Sequence, residues 1–298
     1  MIEFEYYTPK TLAEALNLYA EFGDGARLYA GGTELVNQMR AGIVKPRQLI
    51  DLKHIPGLDT FEMTPAGLKI GALTKVHDIE MSELIQSTFP AVSHAAGSLG
   101  SVQVRNKATI GGNICRASPS ADNIPPLLAL DATLTIVEKG CEKTVPLREF
   151  LLGPGKTILR TGQIMTEIHI PHLPAHSACT YIKLSPRKQM DLAVVGLALM
   201  LTTDKTMSKC LNVRIAMGAV GPTAMRAPQA EAVLIGNPIT DELIEKAAQV
   251  AAAECRPMND VRASEWYRRK MVAVLVKRAF KASLQTITVG GHAIAENN

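Results

Sequence analysis

Leu28-Tyr-Ala-Gly-Gly-Thr-Glu-Leu35 is the segment of this sequence that is most informative about its architecture. An apolar run enters two consecutive glycines and continues as helix-like sequence, which predicts a turn between a strand and a helix. Consecutive glycines let backbone N–H groups approach a phosphate closely, and Thr33 adds a hydroxyl donor. One glycine pair is weak evidence, because an ordinary tight turn accounts for most of them.

A second glycine pair follows about eighty residues later, in Thr109-Ile-Gly-Gly-Asn-Ile-Cys-Arg-Ala-Ser-Pro-Ser-Ala-Asp122. This stretch combines two glycines, an amide, several hydroxyl groups and a carboxylate. Two donor-rich glycine loops are typical of a diphosphate held from two sides. Asp122 then accepts from a ribose or ring hydroxyl. The alternative is an N-cap for the helix-like run 124–130, and the pattern leaves both open.

The common signatures of other sites are missing. No Gly-x-Gly-x-x-Gly follows a strand-like run, and Phe150 stands where a P-loop ending in Gly155-Lys-Thr157 needs glycine. Residues 153–155, Gly-Pro-Gly, are better explained as a turn. No Gly-x-Ser-x-Gly elbow is present, so nucleophilic hydrolysis is not predicted, and no catalytic residue is assigned. The five cysteines lack Cys-x-x-Cys spacing, which argues against a metal or iron–sulfur site in this chain.

Composition excludes several classes of protein. The 298 residues carry 32 basic and 28 acidic side chains, a balance that argues against nucleic acid as the main partner. Aromatic residues make up only 4%, too few for a base-stacking platform. The longest apolar run, 192–201, is about half of a bilayer crossing, so no membrane span is expected. Unpaired cysteines and an amino terminus without signal-peptide character indicate a cytoplasmic protein.

Hydrophobic periodicity predicts an α+β fold. The capping box Thr11-Leu-Ala-Glu14 begins a helix that runs to about Phe22. A segment rich in proline and histidine, 171–177, predicts a domain boundary, after which three strands precede three helices. The predicted strands are 26–30, 48–52, 68–70, 132–137, 164–170, 180–184, 194–201 and 211–216. The other predicted helices are 75–84, 91–99, 227–234, 241–253 and 263–282.

Together, the two glycine loops resemble the FAD-binding subunit of the molybdenum hydroxylases, the family of xanthine dehydrogenase and carbon monoxide dehydrogenase. The resemblance implies a two-part FAD-binding domain of the vanillyl-alcohol-oxidase (PCMH) type over residues 1–175, with subdomains at about 1–55 and 56–175. It further implies a smaller α+β carboxy-terminal domain over 176–285, before a loose tail over 286–298. Similar segments extend along most of the chain, at 101–106, 128–132, 153–157, 167–171, 181–193 and 262–268.

The resemblance also implies which residues hold a non-covalent FAD. Lys183, in Tyr-x-Lys-Leu, matches a family lysine near the flavin, although the strand pattern alone equally predicts an exposed lysine. Leu99 and Leu192 stand where some relatives have aromatic residues beside the flavin ring, and an aliphatic residue at 192 is more similar to the xanthine dehydrogenase branch. The implied cofactor-binding residues are Leu28, Tyr29, Ala30, Gly31, Gly32, Thr33, Glu34, Leu35, Thr109, Gly112, Asn113, Ser118, Asp122, Ile164, Met165 and Lys183.

For function, the resemblance implies a division of labour between subunits. A molybdopterin subunit hydroxylates the substrate, a subunit with [2Fe–2S] clusters relays electrons, and FAD on this chain passes them to NAD⁺ in a complex that dimerises. Two alternatives stay open. One is the same subunit type serving another substrate or acceptor, as in nicotinate or carbon monoxide dehydrogenase. The other is a flavin-free scaffold subunit.

Overall fold

A computed structural model describes residues 3–187 and 190–289 of the chain. Its first part contains β1 (Glu5–Tyr7), α1 (Leu12–Phe22), β2 (Ala26–Tyr29), α2 (Leu35–Arg40) and β3 (Gln48–Asp51), with short 3₁₀ turns at Gly23–Gly25 and Leu52–His54. The predicted cap is confirmed, because the hydroxyl of Thr11 accepts from the N–H of Glu14 at 3.2 Å. The Glu14 carboxylate accepts from the N–H of Lys10 instead of closing the box on Thr11.

The three strands of the first part form a parallel sheet in the order β1-β3-β2. Because the strands run in one direction, their carboxyl ends at Tyr7, Tyr29 and Asp51 lie at the same edge. Helix α1 packs on this sheet through Ala15 and Leu16, both buried in its core. The chain leaves β2 at the carboxyl edge, passes through the first glycine pair and enters α2, as the sequence predicted.

The second part is built on an antiparallel sheet that lies under a layer of helices. Its strands are β4 (Phe61–Thr64), β5 (Gly67–Gly71), β6 (Thr133–Glu138), β7 (Cys141–Pro146), β8 (Leu151–Gly153), β9 (Lys156–Thr157) and β10 (Ile164–Pro171). Its helices are α3 (Val76–Met81), α4 (Glu83–Thr88), α5 (Pro90–Gly97), α6 (Val102–Arg105), α7 (Ile110–Arg116), α8 (Ile124–Ala129) and α9 (Leu147–Phe150).

Five of these strands form the sheet in the order β4-β5-β10-β6-β7, and β8 pairs with β9 in a separate hairpin. The hairpin turn contains the predicted Gly-Pro-Gly at 153–155, with Gly155 at a φ of +69°. Residues of β5, β6 and β10 share the largest apolar core with α3, α5, α7 and α8. The predicted helix over 75–84 is interrupted because Ser82 leaves the helical conformation and caps α4, accepting from the N–H of Ile85.

The third part consists of β11 (Ser177–Leu184), β12 (Val195–Thr203), β13 (Cys210–Gly218), β14 (Met225–Arg226), α10 (Pro228–Leu234), α11 (Asp241–Glu254) and α12 (Glu265–Thr288). The four strands form an antiparallel sheet in chain order. Ala198 and Met200 face the core of the second part, whereas Leu197 and Leu199 face α10, α11 and α12. This sheet is therefore covered on both faces, which explains why β12 is apolar along most of its length.

The ends of the third part refine the sequence-based boundaries. Strand β10 ends at Pro171 and β11 begins at Ser177, across the predicted seam. The predicted loose tail begins too early, because α12 continues to Thr288 with Thr286 buried against the core. Residues 290–298 lie outside the described residues. Within 3–187 and 190–289, we find no helix long and apolar enough to cross a membrane.

Candidate cofactor-binding site

The first glycine stretch, called loop 1 (residues 28–35), offers a row of backbone donors at the carboxyl edge of the parallel sheet. Among the residues that the structure describes, no acceptor takes the N–H of any residue from Gly31 to Leu35. The next N–H, that of Val36, donates to the carbonyl of Gly32 at 3.0 Å. A run of unbonded N–H groups in a turn is the arrangement that the backbone offers to phosphate oxygens.

Both glycines of loop 1 are required by close approach. A Cβ on Gly31 would lie 2.0 Å from the carbonyl oxygen of Lys107, so loop 1 touches the chain just before Thr109 through its backbone. Gly32 has a φ of +71°, and a Cβ there would lie 2.4 Å from the Cε2 atom of Tyr29. The glycines therefore allow loop 1 to lie against both the second part of the fold and its own tyrosine.

The second glycine stretch, called segment 2 (residues 109–122), differs from the prediction because its glycines lie in the first turn of α7. Thr109 caps this helix by accepting from the N–H of Gly112 at 3.1 Å. The N–H of Gly111 donates to the carbonyl of Ala72 at 2.9 Å. Both glycine N–H groups are thus bonded within the chain, and they do not form the second set of phosphate donors that the pattern suggested.

Segment 2 instead contributes close packing and polar side chains. A Cβ on Gly111 would lie 2.9 Å from the Cε atom of Met165, so glycine lets α7 approach the start of β10. The Asn113 Oδ1 atom accepts from the Nδ2 atom of Asn123 at 3.3 Å, which leaves the Asn113 amide nitrogen to donate elsewhere. The Ser118 hydroxyl oxygen accepts from the N–H of Ser120 at 3.4 Å.

An ion pair joins loop 1 to segment 2. The Nε atom of Arg116 donates to the Oε1 atom of Glu34 at 2.8 Å, although 82 residues separate the two. At the end of α7, the N–H of Gly155 donates to the carbonyl of Ala117 at 3.1 Å, so the β8–β9 hairpin borders the same region. The two predicted stretches are therefore neighbours in space, as the two-loop interpretation requires.

Replacing Arg116 with methionine should lower the free energy of unfolding by less than about 1 kcal/mol, because Arg116 and Glu34 are each about half exposed and solvent screens their attraction. Urea unfolding of the variant and the wild type measures this difference. Glu34→Gln removes the other charge and should give a loss of similar size. A loss above about 2 kcal/mol in either variant would contradict the interpretation of this pair as a surface contact.

A buried charged cluster lies where segment 2 meets the third part of the fold. The Asp122 carboxylate accepts from the Tyr181 hydroxyl at 2.9 Å and from the Lys183 Nζ atom at 2.9 Å. Lys183 also donates to the carbonyl of Ser98 at 2.8 Å. The side chains of Asp122 and Lys183 are only 6% and 8% exposed. This cluster joins the second part to β11 and places an ammonium group beside the turn at residues 98–100.

The cluster overturns two alternatives that the sequence left open. Asp122 is not an N-cap, because Asn123 occupies that position of α8 and makes no side-chain cap. Lys183 is not an exposed strand lysine. Burial raises the pKa of the Asp122 carboxyl above its usual range. The positive charge of Lys183 and the hydrogen bonds from Lys183 and Tyr181 lower this pKa in part. Burial, together with the adjacent carboxylate, raises the pKa of Tyr181 well above its ordinary value.

The remaining predicted residues lie around these two stretches. Ile164 is buried in the core under the parallel sheet, and Met165 is buried in the core of the second part. Leu99 is partly buried next to the Ser98 carbonyl that Lys183 contacts. Leu192 is 45% exposed on the connection between β11 and β12. In this connection the N–H of Met190 donates to the carbonyl of Gly100 at 3.3 Å, so the connection borders the 98–100 turn.

Sequence reasoning missed the partners that hold the predicted residues. Tyr181 was overlooked, although its spacing from Lys183 puts both side chains on one face of a strand, where a shared acceptor could be expected. No local pattern in the sequence marks Arg116 as a residue of the site, because its partner Glu34 is distant along the chain. In the described ranges, no group of three or more His, Cys, Asp or Glu side chains could hold a metal ion. All five cysteines are free thiols.

Comparison with known proteins identifies the fold. Residues 2–173 match the FAD-binding domain of molybdopterin dehydrogenases, and residues 180–283 match the carboxy-terminal domain of carbon monoxide dehydrogenase flavoproteins. The structure of carbon monoxide dehydrogenase from Hydrogenophaga pseudoflava superposes with a TM-score of 0.91 at 34% identity, covering 96% of this chain and 99% of the other. The structure of quinoline 2-oxidoreductase from Pseudomonas putida 86 superposes with a TM-score of 0.88 at 25% identity, over 96% and 98%.

Similar sequences have several substrates in their names. The carbon monoxide dehydrogenase medium chain of Hydrogenophaga pseudoflava is 34% identical over 94% of this chain and 96% of its own length. The nicotinate dehydrogenase FAD-subunit of Eubacterium barkeri is 31% identical over 97% and 99%. The xanthine dehydrogenase FAD-binding subunit of Escherichia coli O157:H7 is 30% identical over 95% and 97%.

The fold and its two matched domains define a flavoprotein component of an oxidoreductase. More narrowly, the chain belongs to the FAD-binding medium subunits of the molybdenum hydroxylase family. The α+β fold class and the predicted resemblance are thereby confirmed. The relatives do not single out xanthine as the substrate of the complex, since the carbon monoxide and nicotinate dehydrogenase subunits match over a similar length of the chain at 34% and 31% identity, against 30% for the xanthine dehydrogenase subunit.

Proposed function

We propose that this chain binds FAD non-covalently, with the cofactor lying between loop 1 and segment 2. In this proposal the chain transfers electrons within a molybdenum hydroxylase complex. The observation that carries the proposal is the run of unbonded N–H groups from Gly31 to Leu35, which fits the diphosphate of FAD. The site residues predicted from the sequence would hold the cofactor around this point. Bound FAD supplies a carrier that takes electrons singly and releases them as a hydride.

Lys183 is the residue of this chain that we place at the ring end of the cofactor. Its ammonium group is fixed by Asp122 and the carbonyl of Ser98, so it lies in a defined position. An ammonium carries three N–H donors and these contacts use two, so one N–H remains to donate to the ring. The chain then acts by binding and orienting FAD, and no general acid or nucleophile is needed.

In our proposal, electrons reach this site from an iron–sulfur subunit and are passed on to NAD⁺. The separate free cysteines support clusters on a partner chain rather than on this one. The connection that carries Met190 and Leu192 supports an accessible acceptor side, because these side chains are 66% and 45% exposed next to the 98–100 turn. We propose a cytoplasmic complex with a molybdopterin subunit, an iron–sulfur subunit and this chain, which dimerises.

The acceptor is tested by anaerobic titration of the purified, flavin-loaded chain with NADH. Bleaching of the flavin absorbance is expected, and dithionite provides the control for full reduction. Bleaching by dithionite but not by NADH would contradict NAD⁺ as the acceptor. It would favour the alternative of a subunit that serves another acceptor, as the similarity to carbon monoxide dehydrogenase allows.

The flavin-free scaffold alternative is tested by the flavin content of the purified chain. We expect a yellow protein with about one FAD per chain, because loop 1 keeps its unbonded N–H groups and both glycine pairs are intact. A colourless chain that also fails to take up added FAD would support the scaffold. The substrate of the molybdopterin subunit is tested on the assembled complex, with purines, nicotinate and carbon monoxide compared in parallel.

A further inference from the structure

At the carboxyl edge of the parallel sheet, a polar and aromatic network of Tyr6, Asp51 and Lys53 leads to Tyr29 of loop 1. Asp51, at the end of β3, is buried, and its carboxylate accepts from the hydroxyl of Tyr6 and from the Nζ atom of Lys53, the latter at 3.0 Å. The N–H of Lys53 also donates to this carboxylate at 3.0 Å. Asp51 thus fixes both the backbone and the side chain of Lys53.

The network continues from Lys53 to loop 1. The Nζ atom of Lys53 lies 3.7 Å from the centre of the Tyr29 ring, which is the geometry of a cation–π contact. The Tyr6 ring meets the Tyr29 ring edge to face, with the ring centres 6.3 Å apart. The Tyr29 ring in turn lies against Gly32, since a Cβ on Gly32 would lie 2.4 Å from it. A continuous set of contacts therefore runs from Asp51 through Lys53 and Tyr29 to the glycine pair.

This set of contacts supports the part of loop 1 that has the fewest constraints of its own. The N–H groups from Gly31 to Leu35 make no bonds with the described residues, and Gly32 has a φ of +71°. Glycine loses more conformational freedom on ordering than other residues, so an unsupported Gly-Gly turn loses entropy when a ligand orders it. A ring held against Gly32 restricts this turn before the ligand arrives.

We infer that Lys53 is a positioning residue for the cofactor diphosphate: held by Asp51, it fixes the Tyr29 ring against Gly32 and so preorganises the N–H groups of loop 1. This inference rests on the proposed function, because it deepens the account of the same FAD site. Lys53 acts through Tyr29, and no direct contact between Lys53 and the cofactor is required. The part of the cofactor whose binding is favoured is the diphosphate, which distinguishes FAD from flavins that carry no diphosphate.

The test compares Lys53→Met, Lys53→Arg and the control Lys69→Met. Lys69 is matched to Lys53, because it is similarly exposed (39% against 43%) and also pairs with a carboxylate, that of Glu167 at 2.9 Å. Lys69 lies on β5, in a different sheet from the one that leads to loop 1. The dissociation constant of FAD is measured by flavin fluorescence on chain freed of its cofactor, and the melting temperature of the same apo-protein is recorded.

Lys53→Met should raise the dissociation constant of FAD about five- to tenfold, from the loss of the contact over Tyr29. The melting temperature of the apo-protein should fall only slightly, because Lys53 is 43% exposed and Asp51 keeps the Tyr6 hydroxyl and the N–H of residue 53 as donors. Lys53→Arg should restore affinity to within about twofold, since a guanidinium also stacks on an aromatic face. Lys69→Met should bind like the wild type.

Two results would overturn the inference alone: equal FAD affinity in Lys53→Met and the wild type, or an equal loss in Lys53→Met and Lys69→Met. A third would do so as well, namely failure of Lys53→Arg to bind better than Lys53→Met. A wild-type chain that takes up no FAD under any condition would instead overturn the proposed function together with the inference.

Discussion

Replacement of Gly31 with alanine is expected to weaken FAD binding by about a hundredfold or more, because a displaced loop no longer presents its donors in place. A Cβ at this position would lie 2.0 Å from the carbonyl oxygen of Lys107 and 2.9 Å from the Cα atom of Ala108. These are backbone atoms, so the clash is relieved only by moving loop 1 away from segment 2. The flavin-to-protein ratio after purification and the dissociation constant of added FAD measure the effect.

Gly153→Ala is the matched control for this substitution. Gly153 lies in the β8–β9 hairpin, and a Cβ there would have no neighbour within 4 Å. This variant should keep its FAD. Gly31→Ala should also lower the free energy of unfolding by about 1–3 kcal/mol, the usual cost of overpacking. A protein with this loss is still folded, so a fall in its flavin content reports on the site and not on global unfolding. Normal flavin content in folded Gly31→Ala protein would contradict the placement of the diphosphate at loop 1.

Replacement of Lys183 with methionine is expected to lower the free energy of unfolding by about 3–5 kcal/mol, because it leaves the buried Asp122 carboxylate without its positive partner. Both side chains are almost fully buried, so little water replaces the lost contact. The Tyr181 hydroxyl remains as a donor to Asp122, but it brings no charge. Chemical unfolding monitored by circular dichroism gives the difference.

The double variant Asp122→Asn, Lys183→Met should recover most of this loss. A neutral amide oxygen still accepts from the Tyr181 hydroxyl, and no unpaired charge is left in the interior. Lys209→Met provides the control, because Lys209 is an exposed lysine of the same domain and its removal should have almost no effect. A loss below about 1 kcal/mol in Lys183→Met would argue against a buried ion pair at this position.

Local patterns of the sequence were sufficient for most of the secondary structure and for part of the site. The apolar run around β12 predicted a strand, and the Thr11 cap predicted the start of α1, because these signals arise from neighbours along the chain. Loop 1 was predicted in the same way, since its glycines mark the passage from a strand to a helix. Such features need no knowledge of distant residues.

Features that depend on tertiary contacts were not predictable. The sequence of segment 2 suggested an open loop, yet Ala72 and the Thr109 hydroxyl satisfy its glycine N–H groups and allow a helix to begin there. Likewise, nothing local distinguishes a buried Lys183 from an exposed one, because its partner Asp122 lies 61 positions away. The donor-rich composition of segment 2 led to its prediction as a phosphate-binding loop. Only its packing shows which of its polar groups are free to contact a ligand.

The cluster of Asp122, Tyr181 and Lys183 has a consequence for how these subunits can be recombined. Its carboxylate comes from one domain and both of its donors come from the next, so the proposed ring end of the site would be completed across the domain boundary. A chimera that joins the amino-terminal domain of this chain to the carboxy-terminal domain of a relative needs a hydroxyl and an ammonium at the same two positions of the incoming strand. Exchange of the two domains is therefore expected to succeed only between chains that share these side chains.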